Sequence, residues 1–302
     1  MSTKNYFTFL FLLCLFILFS PVSAYSQNKL QTEFKDIAQS VNGNLGVSAS
    51  LIETGESISI NGDKKFPMQS VYKFPIAMII LKKIDDKKFS LGDIIHIDKL
   101  DYIPKEGHSP IRDKFPNGVD LSLKNIIRYN IEESDGTACD VLLRLLGGTE
   151  STEAEIHNLG IRDISIATTE MVQAENDTVQ YQNWATPIAM NNLLKIFIDS
   201  NYLTANSKEL LLKYMSKSGT WFNTRIKGLL PPNTKVIHKT GSSRTIGGLT
   251  RATNDVGIII LPNGKHLAIS IFLSDSHNSQ EDREKTIAKI SKAAFDYWTK
   301  DK

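Results

Sequence analysis

Apolar residues recur every three or four positions through LQTEFKDIAQSV, and the spacing predicts a helix with Leu30, Phe34, Ile37 and Val41 on one face. The pattern then switches to alternation. In NLGVSASLIETGESISING, Leu45, Val47, Ala49 and Leu51 face one way, and Glu53-Thr54-Gly55-Glu56 turns the chain into a second short strand, making a hairpin. The far end of the chain repeats the arrangement in reverse. DVGIIILPNGKHLAISIFL reads as two strands joined at Pro262-Asn263-Gly264, and REKTIAKISKAAFDYW as a helix with Ile287, Ile290, Ala294 and Tyr297 on its apolar face. Strands from both ends can pair in one antiparallel sheet, with the two terminal helices packed on it.

The stretch between them has a helical period. LSLKNIIRYNIEESDGTACDVLLRLLGG predicts two helices with a break near Ser134-Asp135-Gly136, and TPIAMNNLLKIFIDS a helix capped by Thr186 with Pro187 at its first position. No internal repeat, low-complexity segment or Pro/Gly linker interrupts the chain. The expected fold class is α/β (α+β). A sheet domain is built from residues 25–66 and 218–302, a helical domain (67–217) is inserted into it, and the crevice between them is the natural binding site.

The first 24 residues differ from the rest. Lys4 precedes the apolar run FTFLFLLCLFILF, and SPVSA ends with small residues at Val22 and Ala24, which reads as a secretory signal cleaved after Ala24. The run is about 13 residues, short of the ~20 needed to cross a bilayer. Export to the periplasm or medium as a soluble protein is the expectation, with no stable membrane association after cleavage. Cleavage removes Cys14 and leaves Cys139, in TACDVLLRLL, as the one thiol. That excludes an internal disulfide and suits a buried, inert cysteine. With 35 basic and 33 acidic residues, a net charge of +2 and no basic block, a nucleic-acid partner is not expected. The six histidines (96, 108, 157, 238, 266 and 277) form no HxH or HExxH group, so no metal or other cofactor is expected.

The candidate chemistry starts in MQSVYKFPIAM. Ser70 and Lys73, three residues apart, fall on one helical face, where an amine can take a hydroxyl proton and activate a weak nucleophile. Burial would lower the lysine pKa and make it a better base. The spacing alone assigns nothing, since Ser26-Gln27-Asn28-Lys29 matches it beside the cleavage site. Ser134-Asp135-Gly136 at a helix break is by itself an ordinary turn, and Lys239-Thr240-Gly241 after TKVIH an ordinary strand end.

Taken in order, S-x-x-K, S-D-x and K-T-G resemble the signature of class A β-lactamases and penicillin-binding proteins. The order and wide spacing (Ser70, Ser134, Lys239) resemble class A over essentially the whole mature chain. The resemblance implies hydrolysis of the β-lactam amide of penicillins and cephalosporins through an acyl-serine intermediate, conferring antibiotic resistance. It implies a small-molecule β-lactam substrate, no cofactor and a monomer. By the same resemblance, Ser70 is the nucleophile, Lys73 and Ser134 move protons, and Glu170, in ATTEMVQAENDTVQYQNWATP, activates the deacylating water. Glu175 is its nearby competitor. The backbone amides of Ser70 and Ser242 form the oxyanion hole. Lys239, Thr240, Gly241, Ser242 and Arg225 hold the substrate carboxylate, and His108 lies at the rim.

The family pattern is also broken. Gly136 stands at a substrate-binding position where the family carries Asn. Ala174 replaces the Asn four residues after Glu170. Thr168 and Asn183 replace an Arg and its Asp partner, and Asp140 replaces an Asn that braces the loop. Together these imply a differently folded loop around Glu170, as in the Bacteroides-type and extended-spectrum branch, and good turnover of cephalosporins. Two rivals stay open: a penicillin-binding DD-peptidase acting on cell-wall peptides, and an exported binding protein without catalysis.

Overall fold

The computed structural model describes residues 21–218 and 223–300 of the chain. Most of the leader segment, and with it the expected signal sequence, lies outside the described residues. Among the described residues no helix is long and apolar enough to cross a membrane.

The two ends of the chain meet in one six-stranded sheet. Its strands run in the order Ser57–Ile60, Asn44–Leu51, His266–Ser276, Leu249–Ile260, Val236–Ser242, all antiparallel, with Thr245–Ile246 paired on the start of the long strand. Val47 lies opposite Ile271 and Ala49 opposite Ile269, so the alternation read from each strand lands on a common face. That face packs on the terminal helices Pro21–Gln39 and Gln280–Lys300, where Leu30, Phe34, Ile287, Ile290, Ala294 and Trp298 are buried with Leu45, Val47 and Leu51.

The opposite face is buried as well, which alternation alone does not reveal. Ser48 and Ser50 lie inside, and Asn191, on the helix Pro187–Asp199, donates to Ser50 Oγ at 2.8 Å. Gly46 is required here: a Cβ at that position would lie 2.2 Å from the Phe66 ring. The sheet is therefore a middle layer between helices.

The second core is built around the helix Lys73–Asp85. Every residue from Lys73 to Leu81 is buried, as expected for a helix that is apolar nearly all round. Around it lie Leu123–Ile131, Gly136–Leu145, Pro187–Asp199 and Ala205–Met215, with Phe74 and Phe197 meeting edge to face at 5.5 Å. Thr186 caps its helix as expected, accepting from Ala189 N, and Asp135, in the expected break, also serves as a cap by accepting from Ala138 N. The N-terminal end of the Lys73 helix points at the free edge of the strand Val236–Ser242, so the first turn of one element and the edge of another form the walls of a cleft.

Candidate active site

Ser70 sits in a single 3₁₀ turn, Gln69–Tyr72, that feeds directly into the Lys73–Asp85 helix. The turn is entered through Gln69 at φ +48°, a left-handed conformation that a side chain adopts only when its surroundings impose it. Several contacts impose it. Met68 N donates to Asn183 O at 2.8 Å, Gln69 Nε2 donates to Gln180 Oε1 at 2.7 Å, and Asn254 Nδ2 donates to Pro67 O and Met68 O. The backbone around Ser70 is thus fixed from three directions.

Lys73 is wholly buried and its Nζ donates both to Ser70 Oγ, at 3.0 Å, and to Glu170 Oε1, with which it forms an ion pair. The structure corrects the expectation for this lysine. Burial does oppose its charge, but the Glu170 carboxylate more than compensates, and the pKa is raised above the ordinary lysine value. In the resting protein Lys73 is an ammonium that donates to Ser70 Oγ. The depressed lysine is the other one. Lys239, also wholly buried, donates to Ser134 Oγ at 2.9 Å and to Thr240 O at 3.0 Å; burial, aided by the Lys73 charge, lowers its pKa to about 7. Ser134 is held at φ +56° between the helices Leu123–Ile131 and Gly136–Leu145, in the break expected from the sequence.

Gly136 is explained by its neighbours. A Cβ there would lie 2.4 Å from Ile103 Cδ1 and 3.3 Å from both Glu170 Cβ and His108 O, so buried Ile103 occupies the space a side chain would need. His108 is exposed; its Nε2 donates to Glu133 O at 2.9 Å and its carbonyl accepts from Gly136 N, so it braces the Ser134 loop from outside.

The Glu170 segment is held without the family's ion pair. Asn183, wholly buried, accepts from Ala167 N and Thr168 N through Oδ1, at 2.8 and 2.9 Å, and donates to Thr168 O through Nδ2 at 2.8 Å. One amide thus does locally what two charges would do across a gap. Asp140 accepts from Glu170 N (2.7 Å) and Met171 N (2.8 Å), anchoring the first turn of the short helix Glu170–Glu175. Burial and the Glu170 charge raise the Asp140 pKa to about 7. Further along, Gln180 donates to Asp177, which pairs with Arg251 at 2.5 Å. Glu175 is exposed at the end of its helix, while Glu170 reaches Lys73.

On the opposite wall, Gly241 lets strand and turn nearly touch: a Cβ there would lie 2.5 Å from Met68 O and 3.2 Å from Ser70 N. Arg225 is buried beneath this strand. It donates to Gly241 O and Asn254 O, to Ser242 Oγ at 2.7 Å, and to Glu284 Oε1 at 3.3 Å. Its guanidinium meets the cleft through the exposed Ser242. Cys139, buried and free, packs behind the site next to Tyr72.

Reading the sequence missed Asn254, the bonding of Asn183 and Asp140, and Glu284 as the partner of Arg225. The available signal for Asn254 was an amide beside Asp255 at the head of the apolar run VGIII, in a segment whose pattern marks a strand.

A seryl hydroxyl within reach of a buried lysine, a carboxylate on that lysine, and a second serine–lysine pair across the cleft are the groups that acyl transfer through a serine requires. The β-lactamase enzyme family model matches residues 29–298, and the chain belongs to that family. It is 40% identical over 291 residues to β-lactamase VEB-1 of Pseudomonas aeruginosa, covering 96% of each chain, and 33% identical to the extended-spectrum β-lactamase PER-1 of the same organism, covering 94% of this chain and 92% of that one. Among solved structures, a β-lactamase from Chitinophaga pinensis superposes with a TM-score of 0.86 at 42% identity, covering 89% of this chain and 99% of the other.

Proposed function

We infer that the protein is an exported class A serine β-lactamase that hydrolyses penicillins and cephalosporins, and so confers resistance to them. The observation that carries the mechanism is the Lys73 ammonium shared between Ser70 Oγ, at 3.0 Å, and the Glu170 carboxylate. As Ser70 Oγ attacks the lactam carbonyl carbon, its proton leaves through Lys73, which has first passed its own proton to Glu170. The carbonyl oxygen becomes the oxyanion and is received by the backbone N–H groups of Ser70 and Ser242. Ser134, hydrogen-bonded to Lys239, delivers a proton to the departing lactam nitrogen as the C–N bond breaks. Lys239, Thr240 and Ser242, with Arg225 behind Ser242, receive the substrate carboxylate. The proton given to the nitrogen is made good on Ser134 from Lys73, which recovers its own from Glu170, so that Glu170 is again a carboxylate. It then takes a proton from water as the water oxygen attacks the ester carbonyl, and that proton returns through Lys73 to Ser70 Oγ as the ester C–O bond breaks.

The apolar leader supports export to the periplasm, and nothing in the mechanism requires a second copy of the chain. The likeness to the extended-spectrum β-lactamase PER-1 supports cephalosporins among the good substrates.

The test is a time course of intact mass with a cephalosporin. The expected result is rapid turnover with only a fleeting adduct on Ser70. A lasting ester on the unmutated protein would make it a DD-peptidase, and no adduct with any β-lactam would make it a binding protein.

Lys239 also sets a pH dependence. With a pKa of about 7 in the free protein, it is an ammonium below that pH and loses its charge above it. Affinity for an anionic substrate therefore falls as pH rises through neutrality. A bound carboxylate favours the charged form, so kcat keeps its value to higher pH than kcat/KM does. Rate profiles from about pH 6 to about pH 9 would show kcat/KM dropping first; a kcat/KM that stays flat over this range contradicts the assignment.

A further inference from the structure

The two donors of the oxyanion hole come from different elements. One amide is on the 3₁₀ turn Gln69–Tyr72, the other at the end of the strand Val236–Ser242, and no covalent link nearby sets the distance between them. Stabilisation of an oxyanion depends steeply on that distance, and a misplacement of about 1 Å can cost on the order of 100-fold in rate. Something must hold the turn against the strand.

Asn254 has the required contacts. It is wholly buried in the strand Leu249–Ile260, with its Cα opposite Gly241 in the antiparallel ladder. Its Nδ2 donates to Pro67 O at 2.8 Å and to Met68 O at 3.1 Å, the two carbonyls just before the nucleophile turn. Its Oδ1 accepts from Leu273 N at 3.2 Å, which fixes the orientation of the amide, and its backbone carbonyl accepts from Arg225 Nη1 at 2.9 Å. The same residue therefore grips the nucleophile's backbone with its side chain and the Ser242 strand with its main chain. Gly241 is the point of closest approach between those two walls.

We propose that Asn254 is a positioning residue that sets the gap of the oxyanion hole. The proposal rests on the assignment of the Ser70 and Ser242 amides as the oxyanion donors. Asn254 touches neither substrate nor oxyanion; it acts through the carbonyls of Pro67 and Met68. Its loss should therefore weaken tetrahedral species much more than planar ones.

The test uses phenylboronic acid, whose tetrahedral adduct on Ser70 places an oxygen in the hole, against a cephalosporin binding in its planar ground state. In Asn254→Leu and Asn254→Ser, the boronate inhibition constant and kcat are expected to worsen together, by about 10- to 100-fold. Cephalosporin affinity, measured with each change placed in a Ser70→Gly background, should move by less than about threefold. The leucine variant keeps the volume without the hydrogen bonds. Should it fail to fold, the serine variant, which merely falls short of the carbonyls, carries the comparison. Equal loss of boronate and cephalosporin affinity would reduce Asn254 to a general brace of the sheet, and unchanged boronate affinity would remove it from the mechanism. If the unmutated protein forms no boronate adduct, the Ser70 assignment itself fails and the proposal falls with it.

Discussion

Ser70→Ala is expected to lower kcat by roughly a million-fold while leaving the fold and the cephalosporin site in place. The change removes one hydroxyl from a half-buried turn whose backbone is held by Asn183, Gln180 and Asn254, none of which bonds to Ser70 Oγ. Lys73 loses one acceptor at 3.0 Å but keeps its ion pair with Glu170, so no buried charge is stranded. The expected cost in stability is therefore within about 1 kcal/mol, the worth of an ordinary hydrogen bond. The Ser134–Lys239 pair and the Ser242–Arg225 contact do not involve Ser70, and substrate should still bind. Steady-state kinetics with a chromogenic cephalosporin, beside a thermal melt, would show this separation. Residual activity within about 100-fold of the original protein would place the nucleophile elsewhere.

Glu170→Gln should produce a different failure. The acyl-enzyme forms and then persists, so that kcat falls by about 1,000-fold while a covalent adduct fills the site. The reason lies in the balance at Lys73. Burial pulls its pKa down and the Glu170 charge pushes it up, with the second effect winning in the unmutated protein. A glutamine removes the largest charge that opposes burial, so the Lys73 pKa falls from its raised value. Lys73 then gives up its proton more readily beside Ser70, while no carboxylate remains at position 170 to activate water for deacylation. Intact mass after brief mixing with a cephalosporin would show near-complete adduct. Turnover at the original rate would remove Glu170 from deacylation; a variant that neither turns over nor acylates would make Glu170 the acylation base as well.

Much of the architecture could be read from local pattern. The alternation at Leu45, Val47, Ala49 and Leu51, the Pro262-Asn263-Gly264 turn and the Thr186-Pro187 cap depend on neighbours a few residues away, and each appears where expected. What could not be read depends on partners distant in sequence. Lys73 and Glu170 are 97 residues apart, and the sign of the lysine's shift is a sum of burial and charge that only the folded chain supplies. Asn254 and Asn183 are neutral, and a buried amide carries no mark in the sequence of which carbonyl it will meet. The missing charges at Thr168 and Asn183 were legible as a departure from the family, whereas the amide that replaces them was not.

The Asn183 clamp bears on how the enzyme responds to ionic strength. Dissolved salt weakens attractions between charges and leaves hydrogen bonds between neutral groups almost untouched. Where Asn183 holds Ala167 and Thr168, just before Glu170, the contacts join neutral groups and added salt leaves them in place. The part of the loop that would respond is Asp177 with Arg251, beyond the Glu170–Glu175 helix. Salt would thus slacken the outer end of the loop while the segment that carries Glu170 stays anchored.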